Sequence, residues 1–242
     1  MKLKNVIHHF HKLLDVPLMP EDAYNIWANS YDRQDKNLVF KLEKEILDSF
    51  FRKLNLEDKI ILDYGCGTGR NWERLIPQKP KSLTGCDVSS NMLEKLKQKF
   101  PLYETYLIKG ASSLSFQESS FDFILSTLVI AQIKNIKKTF SFWNEWLKPG
   151  GNIIITDMHP KILQSGGKRT FQDSGKSFEV KNYIHTIDEV MELCRIFKWE
   201  VIETEEKLIT EEEKDFYAEK KSIHVYEKFY GLPLVYGMLI RK

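Results

Sequence analysis

Residues Ile61 to Asn71 read ILDYGCGTGRN, with Gly65, Gly67 and Gly69 at alternate positions directly behind a short apolar run. Lys59 to Leu62 reads as a buried strand. The three glycines then supply the positive φ and close backbone approach of an abrupt turn, where any Cβ would obstruct. A strand, a bare turn and a following helix together make a cradle for an anion or nucleotide, because the helix N-terminus presents unpaired N–H groups.

The segments on either side continue the pattern. A helix is expected from Leu38 to about Leu54, ahead of the first strand. After the turn come a strand in SLTGCDV, a helix from Asn91 to Phe100, strands in TYLIKG and FDFILSTLVI, a helix from about Ile133 to Leu147, and a strand in NIIITDM. Such alternation specifies a parallel sheet covered on both faces. Ile133, Ile136, Phe140, Trp143 and Leu147 form one apolar stripe, which LKPGG stops. The segment from His159 to Tyr183 is expected to be irregular and too polar for core, in the manner of a lid. Thr186 and Glu189 form a capping-box pattern for a helix that turns Ile187, Val190, Met191, Cys194 and Phe197 inward. A strand in WEVIET, an exposed helix in TEEEKDFYAEKK and a final strand in LVYGMLI complete the chain.

With 242 residues, 42% hydrophobic and 29% charged, the composition is that of a globular protein with one substantial core. Thirty-six Lys and Arg against 34 Asp and Glu leave a net charge of +2, which disfavours nucleic acid as a partner and favours small molecules. Cys66, Cys86 and Cys194 are odd in number and widely spaced, which suits free thiols in a reducing compartment. No stretch approaches the roughly 18 apolar residues of a membrane span, and MKLKNVIHHFHKLL lacks the marks of a signal peptide, so a cytoplasmic location is expected. Leu3, Val6, Ile7, Phe10, Leu13 and Leu14 recur at helical spacing and describe an amphipathic N-terminal helix. His8, His9 and His11 on it lack metal-ligand spacing and read as a polar helix face, so no metal is expected.

Two nucleotide motifs fail on spacing. Gly175, Lys176 and Ser177 spell the end of a P-loop, but Thr170 stands where its first glycine belongs and no strand precedes it. The dinucleotide fingerprint needs a glycine three residues after Gly67, where Arg70 stands. That leaves a cofactor with adenosine and no pyrophosphate. Asp87 closes the second strand 22 residues past Gly65, where an acidic side chain can accept from both ribose hydroxyls. Its alternative role, capping the next helix, is open to Ser89, Ser90 or Asn91 as well.

These motifs resemble the class I S-adenosylmethionine-dependent methyltransferases, in particular their small-molecule, ubiquinone-type branch. ILDYGCGTGRN resembles the family's first motif and GCDVSSNMLEKLKQK its second. FDFILSTLVIAQI and LKPGGNIIITD resemble the fourth- and fifth-strand motifs, and WANSYDRQ a tyrosine-bearing segment that folds over the methionine end. The likeness covers roughly residues 24 to 158. It implies an α/β, Rossmann-like sheet of seven mostly parallel strands in the order 3-2-1-4-5-7-6, helices on both faces and the last strand antiparallel. It implies S-adenosylmethionine as cofactor, with contacts from Tyr31, Asp63, Gly65, Cys66, Gly67, Gly69, Asp87, Val88, Met92, Ala111, Ser112 and Ser126. Two positions depart from the family. Gly110 to Ser113 offers no acidic residue to the adenine, and Ala131 beside Gln132 replaces a frequent histidine.

The organisation expected is one domain: residues 1–37 an N-terminal helical lid, 38–158 the cofactor-binding core, 159–185 a variable substrate segment and 186–242 the C-terminal part of the sheet. The expected activity is methyl transfer to oxygen, nitrogen or carbon of a small organic acceptor. An RNA or tRNA methyltransferase is the alternative, with GGKRT, Lys176 and Lys181 as its only basic candidates, and a non-catalytic binding module is the third reading. If the acceptor is a hydroxyl, its proton would go to His159, His185 or Asp157, while a carboxylate acceptor would need no base. Neither the acceptor's identity nor the oligomeric state is written in these motifs.

Overall fold

In the computed structural model, which describes residues 16–33, 37–110 and 113–242, the odd and even residues of the central strands face two different cores. Ile61 of β1 (Ile60–Tyr64) points to one and Leu62 to the other; Phe123 and Leu125 of β4 (Phe121–Thr127) oppose Ile124, and Ile154 of β5 (Leu147–Met158) opposes Ile153 and Ile155. This two-residue period in apolar strands demands helices on both sides. The first face is covered by α2 (Leu38–Phe51), by α3 (Trp72–Leu75) and by α4 (Ser90–Lys99), through Ile46, Phe50, Trp72 and Leu96, while α1 (Pro20–Trp27) lies ahead of them in the chain. The second is covered by α5 (Ile136–Trp146) and α7 (Ile187–Ile196), through Phe140, Trp143, Val190 and Cys194. Asn37, Ser89, Asn135 and Thr186 cap α2, α4, α5 and α7, the last through the expected capping box with Glu189.

Counting β2 (Ser82–Asp87), β3 (Glu104–Leu107), β8 (Glu200–Leu208) and β9 (Pro233–Arg241), the seven strands are ordered β3-β2-β1-β4-β5-β9-β8. The first five are parallel, and β9 runs antiparallel to both β5 and β8. In main-sheet numbering this is the order 3-2-1-4-5-7-6. Tyr64 at the end of β1 pairs with Cys86 one residue before the end of β2, so the glycine turn and Asp87 emerge side by side.

Three expectations are corrected here. The segment after His159 is ordered: α6 (Pro160–Gln164) leads to a hairpin of β6 (Thr170–Asp173) and β7 (Lys176–Glu179). Phe171 and Val180 are buried in a third small core with Leu18, Trp27 and Met92, and the Trp27 and Phe171 rings stack at 4.7 Å. Its apolar residues are too sparse to announce a core alone; they pack only because α1 (Pro20–Trp27) supplies the other half. The stretch from Thr210 is also more than an exposed helix. Its short 3-10 turn and α8 (Lys214–Glu219) bury Glu213 and Tyr217, and α9 (Ile223–Phe229) buries Tyr226 and Phe229. Met191 of α7 faces solvent rather than the core. The N-terminal helix and its three histidines lie outside the described residues.

Helix α2 lies directly on β9 because Gly237 has no side chain: a Cβ there would fall 2.4 Å from Ile46 Cγ2 and 3.0 Å from Phe50 Cε2. Gly237→Ala is therefore expected to destabilise by about 1–3 kcal/mol through overpacking. Urea unfolding checks this: the midpoint should fall at constant slope, and Ile46→Ala in the same chain should restore part of the loss.

Candidate active site

The three glycines of the turn are required for three separate reasons. All have positive φ, at 78°, 55° and 77° for Gly65, Gly67 and Gly69. A Cβ on Gly65 would lie 2.2 Å from Val129 Cγ2, and one on Gly69 would press at 3.2 Å on Leu96 of α4 and on Phe100, the residue that caps its end. A Cβ on Gly67 would meet no protein atom within 4 Å, so here the bare backbone faces open space. That space is a narrow cavity of about 100 Å³ lined by Gly65, Gly67, Asp87, Val88, Met92, Ile108, Val129 and Ile133, with Pro20, Tyr24 and Tyr31 among its walls.

Asp87 joins the turn to the second strand. Its Oδ2 accepts the Gly67 N–H at 2.9 Å and its Oδ1 the Ser89 N–H at 2.8 Å. Burial raises its carboxyl to about 6 against the pull of these backbone donors. Capping of α4 falls to Ser89, whose hydroxyl accepts from Met92 N. Asp63, 2% exposed, gives Oδ2 to the indole N–H of Trp72 at 2.7 Å, while its Oδ1 is buried with no protein partner. Burial pushes that carboxyl to about 7.

Two arginines fasten the segment above the cavity to the core. Arg70 pairs with the fully buried Glu43 at 2.8 Å and stacks on Phe40 at 4.5 Å, and its charge acts on the Tyr31 hydroxyl. Arg169 donates to Asp157 at 2.6 Å, to the Leu128 carbonyl at 3.0 Å and to the Tyr24 hydroxyl at 3.1 Å. Burial raises both tyrosine hydroxyls above their ordinary range, so they stay protonated. Asp32 adds a bond from the Thr68 hydroxyl at 2.5 Å, and Asn25 accepts from Ser89 and Asn91 at the start of α4.

Of the residues expected to touch a cofactor, Tyr31, Gly65, Gly67, Asp87, Val88 and Met92 line the cavity. Asp63 and Gly69 stand behind the turn, and Cys66 packs beneath it against Gly85. Ser126 is a correction: it is fully buried, because adjacent strand residues point to opposite faces and its neighbour Thr127 takes the lining position. Ala111 and Ser112 lie outside the described residues. Sequence reading missed Tyr24, Ile108 and Val129; only their places just after strand ends or in the lid hinted at them.

The three expected bases reach neither this cavity nor the larger one beside it. His159 is the N-cap of α6, its Nδ1 accepting from Lys161 N at 3.1 Å and its Nε2 lying 3.0 Å from Glu206. Asp157 spends its oxygens on Arg169, Met158 N and Ala131 N. His185 donates Nε2–H to the Ile133 carbonyl at 2.7 Å, on the outer side of the strand-to-helix connection.

The residues at the cleft fit S-adenosylmethionine by their chemistry: an open turn at Gly67, a carboxylate with a spare lone pair on each oxygen at Asp87, and apolar walls from Val88, Met92 and Ile108. Residues 62–155 match the family model described as a methyltransferase domain. The biotin biosynthesis bifunctional protein BioHC of Teredinibacter turnerae is 29% identical over 56% of this chain and 27% of its own length. The malonyl-[acyl-carrier protein] O-methyltransferase of a Paenibacillus species is 28% identical over 56% of this chain and 52% of its own. The chain thus spans between about a quarter and a half of the length of these relatives. The crystal structure of an S-adenosylmethionine-dependent methyltransferase from Clostridium acetobutylicum superposes with a TM-score of 0.64 at 18% identity, covering 90% of this chain and 98% of that one, a likeness of fold.

Asp63 makes the site's electrostatics measurable. Folding lifts its carboxyl from an unfolded value near 4 to about 7. The folded protein therefore keeps the proton longer, and the stability this group contributes is full below about pH 4 and lost as pH rises through about 7. Asp63→Asn should accordingly gain stability relative to the parent between pH 4 and 7, with a flat difference above about 8, read by chemical denaturation across pH. His159→Ala should cost about 1–2 kcal/mol as a lost cap while leaving methyl transfer at the parent rate, checked by melting and single-turnover assays.

Proposed function

We propose that the chain is a class I S-adenosylmethionine-dependent methyltransferase that transfers a methyl group from S-adenosylmethionine to a small organic acceptor. The observation that carries this reading is the Gly67 backbone facing open space beside the Asp87 carboxylate, next to a second, larger cavity that shares the walls Tyr31 and Leu128. When bound, the cofactor supplies a methyl group already activated by its sulfonium centre.

The residues then have the following roles. Asp87 takes the ribose hydroxyls with the lone pairs that Gly67 N and Ser89 N leave over. Val88, Met92 and Ile108 would flank the adenine. Tyr24, held by Arg169, and Tyr31, on which the charge of Arg70 acts, close over the site and exclude water from the reacting atoms. The larger cavity, which shares Tyr31 and Leu128 with the smaller one, would hold the acceptor. We read residues 16–33 and the 159–185 segment as the two walls that enclose it, on one domain. An RNA substrate would need a basic, aromatic surface. The cations near this site, Arg33, Lys168, Arg169 and Lys220, instead line a concave and largely apolar space.

Calorimetry tests the reading. S-adenosylmethionine and its demethylated product should bind and, at about 100 times the dissociation constant, raise Tm by about 5–10 °C, whereas NAD and ATP should not. Asp87→Ala should weaken binding by about 10-fold to 100-fold, and Tyr31→Ala should slow methyl transfer more than it weakens binding. Stabilisation by NAD alone would overturn the cofactor, and methylation of bulk RNA with steep salt dependence would overturn the small acceptor.

A further inference from the structure

Seven of the described non-glycine residues have a left-handed φ, and six of them are Asp, Lys or Ser at exposed or half-buried positions. The seventh is Leu128, directly after β4, with φ 60° and a side chain in the interior at 4% exposure. A bulky residue is crowded against its own backbone in that conformation, so it persists there only where the surroundings impose it. Here they do. Leu128 N donates to the Thr156 carbonyl of β5 at 2.7 Å, and the Leu128 carbonyl accepts from Arg169 at 3.0 Å. Three residues on, Ala131 N donates to Asp157 at 2.7 Å, and Arg169 bonds the same carboxylate at 2.6 Å. The bend is therefore clamped on both sides by β5 and by the segment that follows it.

The bend has two consequences for the site. It lays Val129 on the glycine turn, so closely that a Cβ on Gly65 would fall 2.2 Å from Val129 Cγ2. It also sets Leu128 in a wall common to both cavities. Among the described residues only Leu128 and Tyr31 line the smaller cavity and the larger one alike. Tyr31 is carried by the lid, whereas Leu128 is fixed to the end of a central strand. A glycine at 128 would make the same bend without strain, but it would leave that wall without a side chain.

A methyl group handed from a sulfonium in the smaller cavity to a nucleophile in the larger one must cross at the wall the two share. We propose that Leu128 is a specificity-determining residue: its side chain is the fixed surface beside the S-methyl group, and it limits the size of the alkyl group that the sulfur can carry. This rests on the methyl-transfer reading above. The smaller cavity is narrow, about 100 Å³, so a longer alkyl group would press on its walls. Leu128 could retreat only by turning its backbone, and the bonds to Thr156 and Arg169 oppose that turn. The strain at Leu128 is on this account the cost of placing a side chain, in a strand-end bend, where the two ligands meet.

Calorimetry on the full chain tests this with three probes and no acceptor: S-adenosylhomocysteine, S-adenosylmethionine and the S-allyl analogue of the latter. The parent should bind the allyl analogue about tenfold or more weakly than S-adenosylmethionine. In Leu128→Ala and in Leu128→Gly that ratio should fall to about threefold or less, because each removes the wall. The two variants also separate wall from strain: glycine is at ease at this φ and alanine is not, so Leu128→Gly should melt at or above Leu128→Ala. A parent that binds both sulfonium compounds equally overturns the proposal, and so does an allyl penalty that survives in both variants. A higher melting temperature for Leu128→Ala overturns the strain on which the argument rests. S-adenosylhomocysteine, which carries no alkyl group to be sized, reads the cofactor seat by itself. A parent that does not bind it overturns the cofactor reading and the proposal together, whereas binding of S-adenosylhomocysteine with no allyl penalty overturns the proposal alone.

Discussion

The hydrogen bond from Gly67 N to Asp87 Oδ2, 2.9 Å long, joins the two strand ends on which the site is built. It exists because β1 and β2 run parallel in a register that sets Tyr64 opposite Cys86, so a turn leaving one strand meets the terminal carboxylate of the other. Gly65 N and Cys66 N both bond the Cys86 carbonyl, which fixes the turn's path before Gly67 is reached. The sheet is therefore the jig, and the turn is the part held in it. A side chain at Gly65 or Gly69 would force the turn away from Val129 or α4, and the bond to Asp87 would be lost with it.

Around this joint the protein accumulates buried charge, which a fold selected only for stability would avoid. Asp63 and Asp87 are both raised by burial toward neutrality. Two further acids, Glu43 and Asp157, are each neutralised by an arginine near a tyrosine: Arg70, whose charge acts on Tyr31, and Arg169, which bonds Tyr24. Each arginine couples an acid fixed in the core to an aromatic ring above the cavity. The lid is thereby tied to the sheet by directional, charge-assisted contacts as well as by the apolar cluster of Trp27, Phe171 and Met92. Loss of either arginine would strand a buried carboxylate, so these pairs resist substitution even though they contribute little net stability.

The parts of the fold visible in the sequence are those whose reasons are local. The glycine turn, the apolar alternation of Ile61 and Leu62 and the caps at Ser89 and Thr186 each depend on residues a few positions apart. The order of the strands came from resemblance, because periodicity alone does not say which strand lies beside which. The hairpin carrying Phe171 escaped notice because the surface that buries it, Trp27 and Leu18, lies about 150 residues earlier. Arg169 showed only as part of the basic run GGKRT; its structural meaning depends on three partners from three separate segments. His159 was legible and misread: a residue before Pro160 at the start of an apolar helical turn is a cap, and the ring does that work here.

The central claim is that the bare turn and Asp87 together form the seat of an adenosyl group. A crystal structure of the chain grown with S-adenosylhomocysteine tests it most directly. The account predicts density in the cleft beside Gly67, with both ribose hydroxyls within hydrogen-bonding distance of the Asp87 carboxylate and the adenine against Met92 and Ile108. Density for the ligand in the larger cavity, or a ribose that leaves Asp87 bonded only to Gly67 and Ser89, would contradict it.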